Sequence, residues 1–432
     1  MKVIKNPPRE IWGEIIQRPS VDTEKLEAAV KNILAAVRDN GDDALFNYTM
    51  DFDGVSLDTL EVIDDEFEEA DSLVPPKLKE AIAAAKSNIE KFHAVRPEEP
   101  EVVETTPGVF CWRKLVPIES VGLYVPAGTA PLFSTVLMLA IPAKLAGCRE
   151  VILCSPPDKK GKINAVSLYT AKLCGVTRVL KIGGAQAIAA MGYGTKSVPK
   201  VHKIFGPGNQ FVTQAKQQIS EAGAAIDMPA GPSELAILAD ASSIPAFVAS
   251  DLLSQAEHGP DSQVLLVATE EKVINETLAE VARQIGTLPR REFAAAALET
   301  SKAVVVDSIA TGIGLINEYA PEHLIIATND ADQVANQVIN AGSVFIGNFS
   351  CESAGDYASG TNHTLPTNGF ARAYSGVSVE SFTKKITFQK LTAKGIQNLG
   401  PMIEQMAGAE GLLAHKRAVS IRLEMIGGED DI

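Results

Sequence analysis

Four histidines stand beside carboxylates, amides or loop glycines, and these residues have the greatest potential for chemistry. Gln255 and His258 lie three residues apart in SDLLSQAEHGP, near the end of a predicted helix that begins at Pro245 and ends by Gly259. Residues with this spacing share one helix face, so both side chains can converge on one metal ion. The alternative is a histidine that interacts with the dipole at a helix C-terminus.

A long polar segment, CESAGDYASGTNHTLPTNGFAR at 351–372, follows the apolar strand at 344–346 and offers Asp356 and His363. Loops at the carboxyl ends of parallel strands commonly carry the sites of α/β proteins. A surface loop without a function is the alternative, although roughly twenty residues without regular structure inside a compact domain are usually functional.

Two further pairs combine an acid with a histidine. Glu322 and His323 are adjacent in INEYAPEHLIIAT, where one group can act on water and the other on substrate. Glu410 and His415 lie on the predicted C-terminal helix in AEGLLAHKRAV. A surface ion pair is the alternative for the first combination, and an exposed helix face is the alternative for the second.

Taken together, these residues include a donor set of nitrogen and oxygen atoms that suits zinc or another divalent first-row metal. Its members are Gln255, His258, Asp356 and His415. Structural zinc sites favour cysteine ligands in closed tetrahedra, and no cysteine belongs to this set. The pattern therefore indicates a metal that acts on a substrate.

Several glycine-rich turns resemble nucleotide-binding loops, although none completes GxGxxG and the Walker A pattern is absent. GPGNQF at 206–211 follows the strand KVHKIF and begins a helix, and IGGAQAIAA at 182–190 repeats this layout. Backbone N–H groups at such positions can bind a phosphate. A plain strand-to-helix turn is the alternative for each.

The elements that position these residues change in character along the chain. Apolar residues at helical spacing predict helices over 23–41 and 76–95. From residue 121, short β-branched strands alternate with helices, and a second such series runs from SELAILAD at 233–240 to SVFIGN at 343–348. This alternation predicts parallel sheets covered by helices, in two α/β units. The helices predicted in the second series are 245–258, 271–285, 309–319 and 331–341.

The tail after residue 375 has a different pattern. It contains one predicted strand near 385–390 and two predicted helices, 392–406 and 409–424, which Gly408 separates. A segment of this length is too short to bury a core of its own, so we expect it to pack on another surface, such as another chain.

Composition and net charge indicate a globular protein and argue against nucleic-acid-binding and membrane-spanning classes. The chain has 432 residues, 46% hydrophobic and 22% charged, as is typical of a globular protein with two or three domains. Its 39 Lys and Arg against 54 Asp and Glu give a net charge of −15, which argues against nucleic acid as a partner. No apolar run reaches the roughly 20 residues of a membrane span, and the first residues lack a signal peptide's apolar core.

The five cysteines, at 111, 148, 154, 174 and 351, lack CxxC spacing, as is typical of unpaired thiols in a reducing cytoplasm. We therefore expect a cytoplasmic protein with no membrane partner. A thiol nucleophile, as in ordinary aldehyde dehydrogenases, is disfavoured because no cysteine lies beside a candidate histidine.

Seven segments together resemble the L-histidinol dehydrogenase family: YVPAGTAPLFSTVLM, IGGAQAIAA, IFGPGNQFV, DMPAGPSE, SQAEHGPDSQ, YAPEHL and SGTNHTLPT. The resemblance extends from the N-terminal helices to the last helix. It implies two NAD-dependent oxidations that convert L-histidinol to L-histidine through L-histidinaldehyde, the last steps of histidine biosynthesis, with one zinc ion per subunit.

The resemblance also implies roles for individual residues. The acid–base pair would be Glu322 and His323. The zinc ligands would be Gln255, His258, Asp356 and His415, the last from the partner subunit. These ligands and His323 would also contact substrate, together with Ser233, His363 and Glu410. NAD would contact Tyr124, Gln186 and Asn209.

The expected fold is α/β, with two Rossmann-like parallel-sheet domains, a helical N-terminal segment and a small C-terminal tail exchanged in a homodimer. The expected boundaries are an N-terminal arm at 1–24, a first domain at 25–122 and 233–376, an inserted NAD-contacting domain at 123–232, and a dimerisation tail at 377–432. Two other functions remain open at this point: a metal-assisted hydrolase that uses Glu322 on water, and a two-lobed small-molecule binding protein.

Overall fold

Two parallel sheets form the frame of the larger of two compact units. The computed structural model describes residues 1–18, 23–95, 101–127, 131–229 and 231–429. The first unit comprises Met1–Val95 and Ile118–Phe382, and the second comprises Arg96–Pro117 and Thr383–Ile432. No helix among the described residues is long and apolar enough to cross a membrane.

The strands of the described residues are β1 (Lys2–Lys5), β2 (Val103–Thr106), β3 (Val109–Pro117), β4 (Ser120–Tyr124), β5 (Glu150–Ser155), β6 (Arg178–Lys181), β7 (Lys203–Phe205), β8 (Ala225–Ile226), β9 (Glu234–Ala239), β10 (Gln263–Ala268), β11 (Lys302–Val305), β12 (His323–Ala327), β13 (Ser343–Ile346) and β14 (Thr383–Leu391). One parallel sheet has the order β1-β11-β10-β9-β12-β13, and the other has the order β6-β5-β4-β7-β8. The predicted α/β class with parallel sheets is confirmed.

The helices of the described residues are α1 (Trp12–Ile15), α2 (Thr23–Asn40), α3 (Asp42–Tyr48), α4 (Asp64–Leu73), α5 (Pro76–His93), α6 (Phe133–Ala146), α7 (Ala165–Leu173), α8 (Gly184–Tyr193), α9 (Gln210–Glu221), α10 (Pro245–Ala256), α11 (Glu271–Gln284), α12 (Arg291–Thr300), α13 (Ile309–Tyr319), α14 (Ala331–Ala335), α15 (Glu352–Tyr357), α16 (Ala393–Ala409) and α17 (Leu413–Glu429).

The central strands of both sheets are largely apolar because helices cover both faces. Every residue of β9 (ELAILA), β10 (QVLLVA) and β4 (SVGLY) is buried. Such nearly continuous apolar runs are typical of parallel strands, whereas strands with one solvent-exposed face alternate apolar and polar residues. This is why the strands could be predicted from the sequence.

The N-terminal helices pack on the five-stranded sheet. Val30 and Leu34 of α2 share a core with Ile188 of α8 and Ile219 of α9. The buried side of α5 packs in the core that contains α6. This packing differs from the predicted grouping of 25–122 with 233–376, because the apolar faces of α2 and α5 cover the sheet of 120–226 instead.

The N-terminal arm is part of the six-stranded sheet. Residues 2–5 form its edge strand β1, which pairs in parallel with β11. Trp12 and Ile15 of α1 share a core with Leu324 of β12. The strand was not predicted, since it has four residues and a mostly exposed pattern.

Several boundaries differ from the predictions. Helix α10 begins at Pro245 as predicted but ends at Ala256, so His258 lies beyond the helix. Helix α14 is shorter than predicted, and α12 was not predicted at all. The polar segment 351–372 begins with the short helix α15 and is not wholly irregular.

The second unit contains an antiparallel sheet with the order β14-β3-β2 and the two last helices. Strand β14 pairs with β3 from Thr383 opposite Pro117 to Leu391 opposite Val109. The predicted tail strand and both predicted helices are present. Gly408 lies within α16, however, and the break between the helices falls at 410–412.

Candidate active site

The predicted acid–base pair, Glu322 and His323, lies where β12 begins, next to the beginning of β9. Residue 323 pairs in register with residue 235, and the N–H of Glu234 donates to Oε2 of Glu322 at 2.9 Å. Glu322 and His323 are buried, with 6% and 4% of their surfaces exposed. The pair therefore lies at the amino ends of these strands, just before β12 as predicted; the expected site at carboxyl ends concerned the segment 351–372.

Three carboxylates surround the imidazole of His323. Its Nδ1 lies 3.7 Å from Oε2 of Glu322 and 3.9 Å from Oε1 of Glu352, and its Nε2 lies 3.6 Å from Oδ1 of Asp356. Burial alone lowers the pKa of His323, but the negative charges of Glu322, Glu352 and Asp356 outweigh it and raise that pKa to about 10. Nε2 has no hydrogen-bond partner among the described residues, so it is available to a ligand.

Burial also raises the pKa values of Glu322 and Glu352. It raises the pKa of Glu322 to about 8, although the neighbouring His323 lowers it. It raises the pKa of Glu352 to about 8 as well, with His323 again opposing the effect. Both carboxyls therefore retain protons at a pH where ordinary glutamates have lost them. The cluster can accept, hold and release protons near neutral pH.

A group of possible metal ligands adjoins this pair. The donor atoms of His258, Glu352 and Asp356 all lie within 4.8 Å of one another. Glu352 and Asp356 lie four residues apart on α15 and so share one face of that helix. Glu352 was missed by the sequence reasoning, although its spacing from Asp356 is the signal that could have found it.

Gln255 lies at the same place, fully buried near the end of α10. Two acceptors surround one end of its amide: the backbone oxygen of Glu234 at 3.2 Å and Oε1 of Glu352 at 3.0 Å. The amide nitrogen therefore faces these two groups, because only the NH₂ can donate to them. The carbonyl oxygen of Gln255 is left at the other end, where a cation can use it.

A cavity of about 270 Å³ opens beside this cluster. Its walls include Ser233, His258, Glu322 and His363. The ring of His363 is fixed on both sides, with Nδ1 2.8 Å from the backbone oxygen of Asp356 and Nε2 3.1 Å from Oγ1 of Thr135. Because the backbone oxygen can only accept, Nδ1 carries the proton, and Nε2 of the neutral ring accepts from Thr135.

A second cavity, of about 470 Å³, lies at the carboxyl ends of β4 and β6. Tyr124, Gln186 and Asn209 line it together with the apolar side chains of Ile33, Phe52 and Phe211. Oε1 of Gln186 has no partner among the described residues. Asn209 lines both cavities, so one extended ligand can reach from one to the other.

The cysteines take no part in either cavity. Burial raises the pKa of Cys148 to about 11 and the pKa values of Cys154 and Cys174 to about 12. A thiol with such a pKa is protonated at neutral pH and is a poor nucleophile. For these three thiols, burial therefore disfavours a catalytic role.

The sequence matches one family of known proteins over almost its whole length. A profile of the family described as Histidinol dehydrogenase matches residues 16–423. The chain belongs to the histidinol dehydrogenase family. Its activity is accordingly the NAD-dependent oxidation of histidinol in histidine biosynthesis, which the sequence resemblance implied.

Individual histidinol dehydrogenases are similar in sequence and in structure. The enzyme of Bacteroides fragilis is 58% identical over 426 residues, which cover 99% of this chain and 100% of that protein. The enzyme of Haemophilus influenzae is 53% identical over 411 residues, 95% of each chain. The crystal structure of histidinol dehydrogenase from Elizabethkingia anophelis superimposes with a TM-score of 0.97 at 55% identity and 99% coverage of both chains.

The structure brings most of the predicted site residues of the chain together. Gln255, His258 and Asp356 lie around His323, and Tyr124, Gln186 and Asn209 share the second cavity. Glu410 and His415 lie in the second unit, immediately after α16 and on α17, and both are exposed. The assignment of these two residues to an active site therefore stays a prediction.

Proposed function

We propose that the chain oxidises L-histidinol to L-histidine through L-histidinaldehyde at a single site that binds one zinc ion per subunit. The observation that carries this proposal is the convergence of His258, Asp356 and Gln255 on the buried pair Glu322 and His323, beside a cavity of about 270 Å³. A metal ligand set beside an acid–base pair suits an alcohol that must be oriented before it loses a proton and a hydride.

The residues present fit a zinc ion. Imidazole nitrogen and carboxylate or amide oxygen are donors that zinc accepts, and His258 and Asp356 present theirs within 4.8 Å of each other. Burial opposes the ionisation of Asp356, but the neighbouring His323 lowers the pKa of this carboxyl, so Asp356 supplies negative charge for a dication. Gln255, His258 and Asp356 would hold the ion with His415 of the partner subunit. When bound, zinc would hold and orient the substrate.

The stoichiometry follows from the change in oxidation state. Converting an alcohol to a carboxylate removes four electrons, so two hydrides leave in succession, one to each of two NAD molecules. The aldehyde must add water before it can lose the second hydride. Overall, histidinol, water and two NAD⁺ yield histidine, two NADH and three protons, so the site must accept a proton more than once.

The buried pair divides this proton work. We assign to Nε2 of His323, which has no hydrogen-bond partner among the described residues, the protons of the alcohol and of the hydrate. The ring accepts them in its neutral form, and engaging Asp356 with a cation would remove one of the charges that favour its protonated form. We assign to Glu322 the proton of the water that attacks the aldehyde. Glu322 is suited to this role because its raised pKa, about 8, makes its carboxylate a stronger base than an ordinary glutamate.

The remaining assignments concern binding. We propose that Ser233 and His363, on the walls of the first cavity, contact histidinol together with Glu410. We propose that NAD lies in the second cavity against Tyr124, Gln186 and Asn209. The hydroxyl of Tyr124 accepts from the N–H of Gly184 at 3.0 Å, which supports one wall of that cavity.

The strand orders support a Rossmann-like interpretation of both sheets. If the strands are numbered in chain order from β4 in the smaller sheet and from β9 in the larger sheet, each sheet has the order 3-2-1-4-5. The larger sheet has β1 as an additional strand at one edge. In the smaller sheet the order reverses between β4 and β7, where Tyr124 and Gly206 lie at the strand ends. Such a reversal point is where dinucleotides bind in these folds, so we propose 123–232 as the NAD-contacting domain.

We further propose a cytoplasmic homodimer in which the tail, 377–432, completes the partner's site. The supporting observation is that Glu410 and His415 are exposed on a unit separate from the one that holds the buried pair. All five cysteines are free, which supports a reducing compartment.

One measurement tests the proposed reaction. The purified protein, loaded with zinc, is given limiting histidinol and excess NAD, and the NADH formed is counted per histidinol consumed. We expect two. One NADH per histidinol, with free aldehyde accumulating, would reject the four-electron assignment. Omission of histidinol controls for NADH formed from contaminants.

A further inference from the structure

A buried ion pair lies beside the turn between the two cavities. Lys216 of α9 pairs with Asp227, and their side chains are only 4% and 1% exposed. Both residues line the first cavity, next to the turn at 206–209. Neither residue is among those to which a role in substrate, zinc or NAD binding is assigned above.

The pair binds both polar groups of one glycine. The ammonium of Lys216 donates to the backbone oxygen of Gly206 at 3.0 Å, and the carboxylate of Asp227 accepts from the backbone N–H of Gly206 at 2.8 Å. Asp227 also accepts from the N–H of Met228 at 2.7 Å. The position of the backbone at Gly206 is thus set by two charged side chains, one on each side.

This glycine needs such support because its conformation is unusual. Its φ is 126°, a region that side chains disfavour, and a Cβ there would collide with the backbone oxygen of Tyr124. Gly206 therefore lies directly against the end of β4. The turn continues to Asn209, whose Oδ1 accepts from the N–H groups of Phe211 and Val212 and so begins α9.

The energetics favour a positioning role over a purely stabilising one. Two charges lose their hydration on burial, and a buried pair is often no more stable than two apolar side chains of similar shape. What apolar side chains cannot supply is a donor for the backbone oxygen of Gly206 and an acceptor for its N–H. The specific effect of the pair is therefore the placement of this turn.

We propose that Lys216 and Asp227 are positioning residues for the coenzyme: they fix the turn at 206–209 so that Asn209, which lines both cavities, is correctly placed for NAD. This inference rests on the proposed coenzyme site. It predicts that the pair controls NAD affinity without controlling zinc affinity, since the proposed zinc ligands lie in and beside α10 and α15.

The test replaces the pair by apolar side chains of similar shape, in the double variant Lys216→Met/Asp227→Leu. NADH affinity is measured by fluorescence, zinc content by elemental analysis and histidinol affinity by calorimetry. We expect NADH to bind on the order of tenfold more weakly, because small displacements of a positioning group are costly. Zinc content should not change, and histidinol affinity should fall less than NADH affinity, because the pair lines the first cavity but has no assigned contact with histidinol. A folded double variant with wild-type NADH affinity would overturn the proposal.

A matched control removes a different buried pair. Lys181 and Glu66 form an ion pair 3.1 Å long with exposures of 7% and 14%, and neither lines either cavity. Lys181→Met/Glu66→Met should leave NADH affinity unchanged. If it weakens NADH binding as much as the first double variant does, the effect is general and the positioning role is rejected.

Two further variants complete the test. If Lys216→Met/Asp227→Leu does not fold, Lys216→Met/Asp227→Asn replaces it. This variant loses the donor to the oxygen of Gly206 and one of the two carboxylate acceptors, which receive the N–H groups of Gly206 and Met228. Unchanged NADH affinity would again overturn the proposal. Asn209→Ala tests the coenzyme site itself. If Asn209→Ala binds NADH normally, both the coenzyme site and the positioning role fall. If only Asn209→Ala weakens binding, the positioning role alone falls.

Discussion

Burial gives Glu322 a proton affinity that an exposed glutamate lacks. With its pKa raised to about 8, only about a tenth of this carboxyl is ionised at neutral pH, and the fraction increases as pH rises. The water-activation step proposed for Glu322 requires the ionised form. Aldehyde oxidation should therefore become faster between neutral and alkaline pH.

This dependence gives a first prediction, which separates the two members of the pair. In the wild type, kcat for histidinaldehyde oxidation should rise with pH to a plateau above about 8. Glu322→Gln should lose this rise and impair aldehyde oxidation more than alcohol oxidation, whereas His323→Ala should impair both. Both half-reactions are followed as NADH formation. Equal impairment of the two by Glu322→Gln would contradict the division of roles.

A second prediction concerns the metal ligands. Chelation should abolish turnover and added zinc should restore it. His258→Ala should weaken zinc and histidinol binding but not NADH binding. Glu352→Gln should weaken zinc binding by roughly 10- to 100-fold, because this carboxylate orients the amide of Gln255 and faces the ligands.

Zinc affinity is measured by competition with a chromophoric chelator, which does not depend on activity. Glu257→Gln, next to His258 but outside the ligand cluster, serves as the control and should bind zinc normally. Full activity in metal-free wild-type protein would reject the metal site.

At the scale of the elements, the pattern of apolar residues in each segment determined which strands and helices could be predicted. Strands such as β9 and β10 were recognisable because both faces are buried. The pairing of β3 with β14 could not be recognised from the sequence, because β14 is mostly exposed and its partner lies far away in sequence. The placement of Gln255, His258 and Asp356 was anticipated through the family resemblance. Glu352 was missed because the segment 351–372 was expected to be an irregular loop, in which a spacing of four residues from Asp356 has no meaning.

The N-terminal segment is linked to the site through one ion pair. Nη2 of Arg18 donates to Oε2 of Glu234 at 2.8 Å and to the backbone oxygen of Tyr319 at 2.8 Å, and the guanidinium lies over the ring of Tyr319. The backbone N–H of Glu234 in turn holds Glu322. The segment before α2 therefore supports the strand end that carries the proposed acid–base pair.

A third prediction follows from this link. Arg18→Met should lower the free energy of unfolding by about 3–5 kcal/mol, because it leaves the carboxylate of Glu234 buried without its cation. Adding Glu234→Gln should restore much of the loss. Arg38→Met removes an exposed pair with Asp39 and should change stability by at most about 1 kcal/mol. Urea denaturation measures all three, and equal losses for Arg18→Met and Arg38→Met would contradict the argument.

At the scale of the whole molecule, the proposed tail exchange can be tested by complementation, which is the fourth prediction. Asp356→Ala inactivates the body of the chain, which is the part before the tail at 377–432, and His415→Ala inactivates the tail. If tails cross over, a mixed dimer combines one intact body with one intact tail and regains one working site. If each tail serves its own chain, every site keeps one defect. Mixed dimers that form without regaining activity would refute the exchange.

The antiparallel pairing of β3 with β14 also affects how the protein is made. Residues 109–117 leave the ribosome long before their partner, residues 383–391, has been synthesised. At roughly 5–20 residues per second, β3 waits on the order of tens of seconds with one edge unpaired. An open strand edge invites association with other chains, and the hairpin of β2 and β3 is marginal alone. Completion of the polypeptide is thus the event that closes this edge, and an interrupted translation product would expose it to aggregation and to proteases.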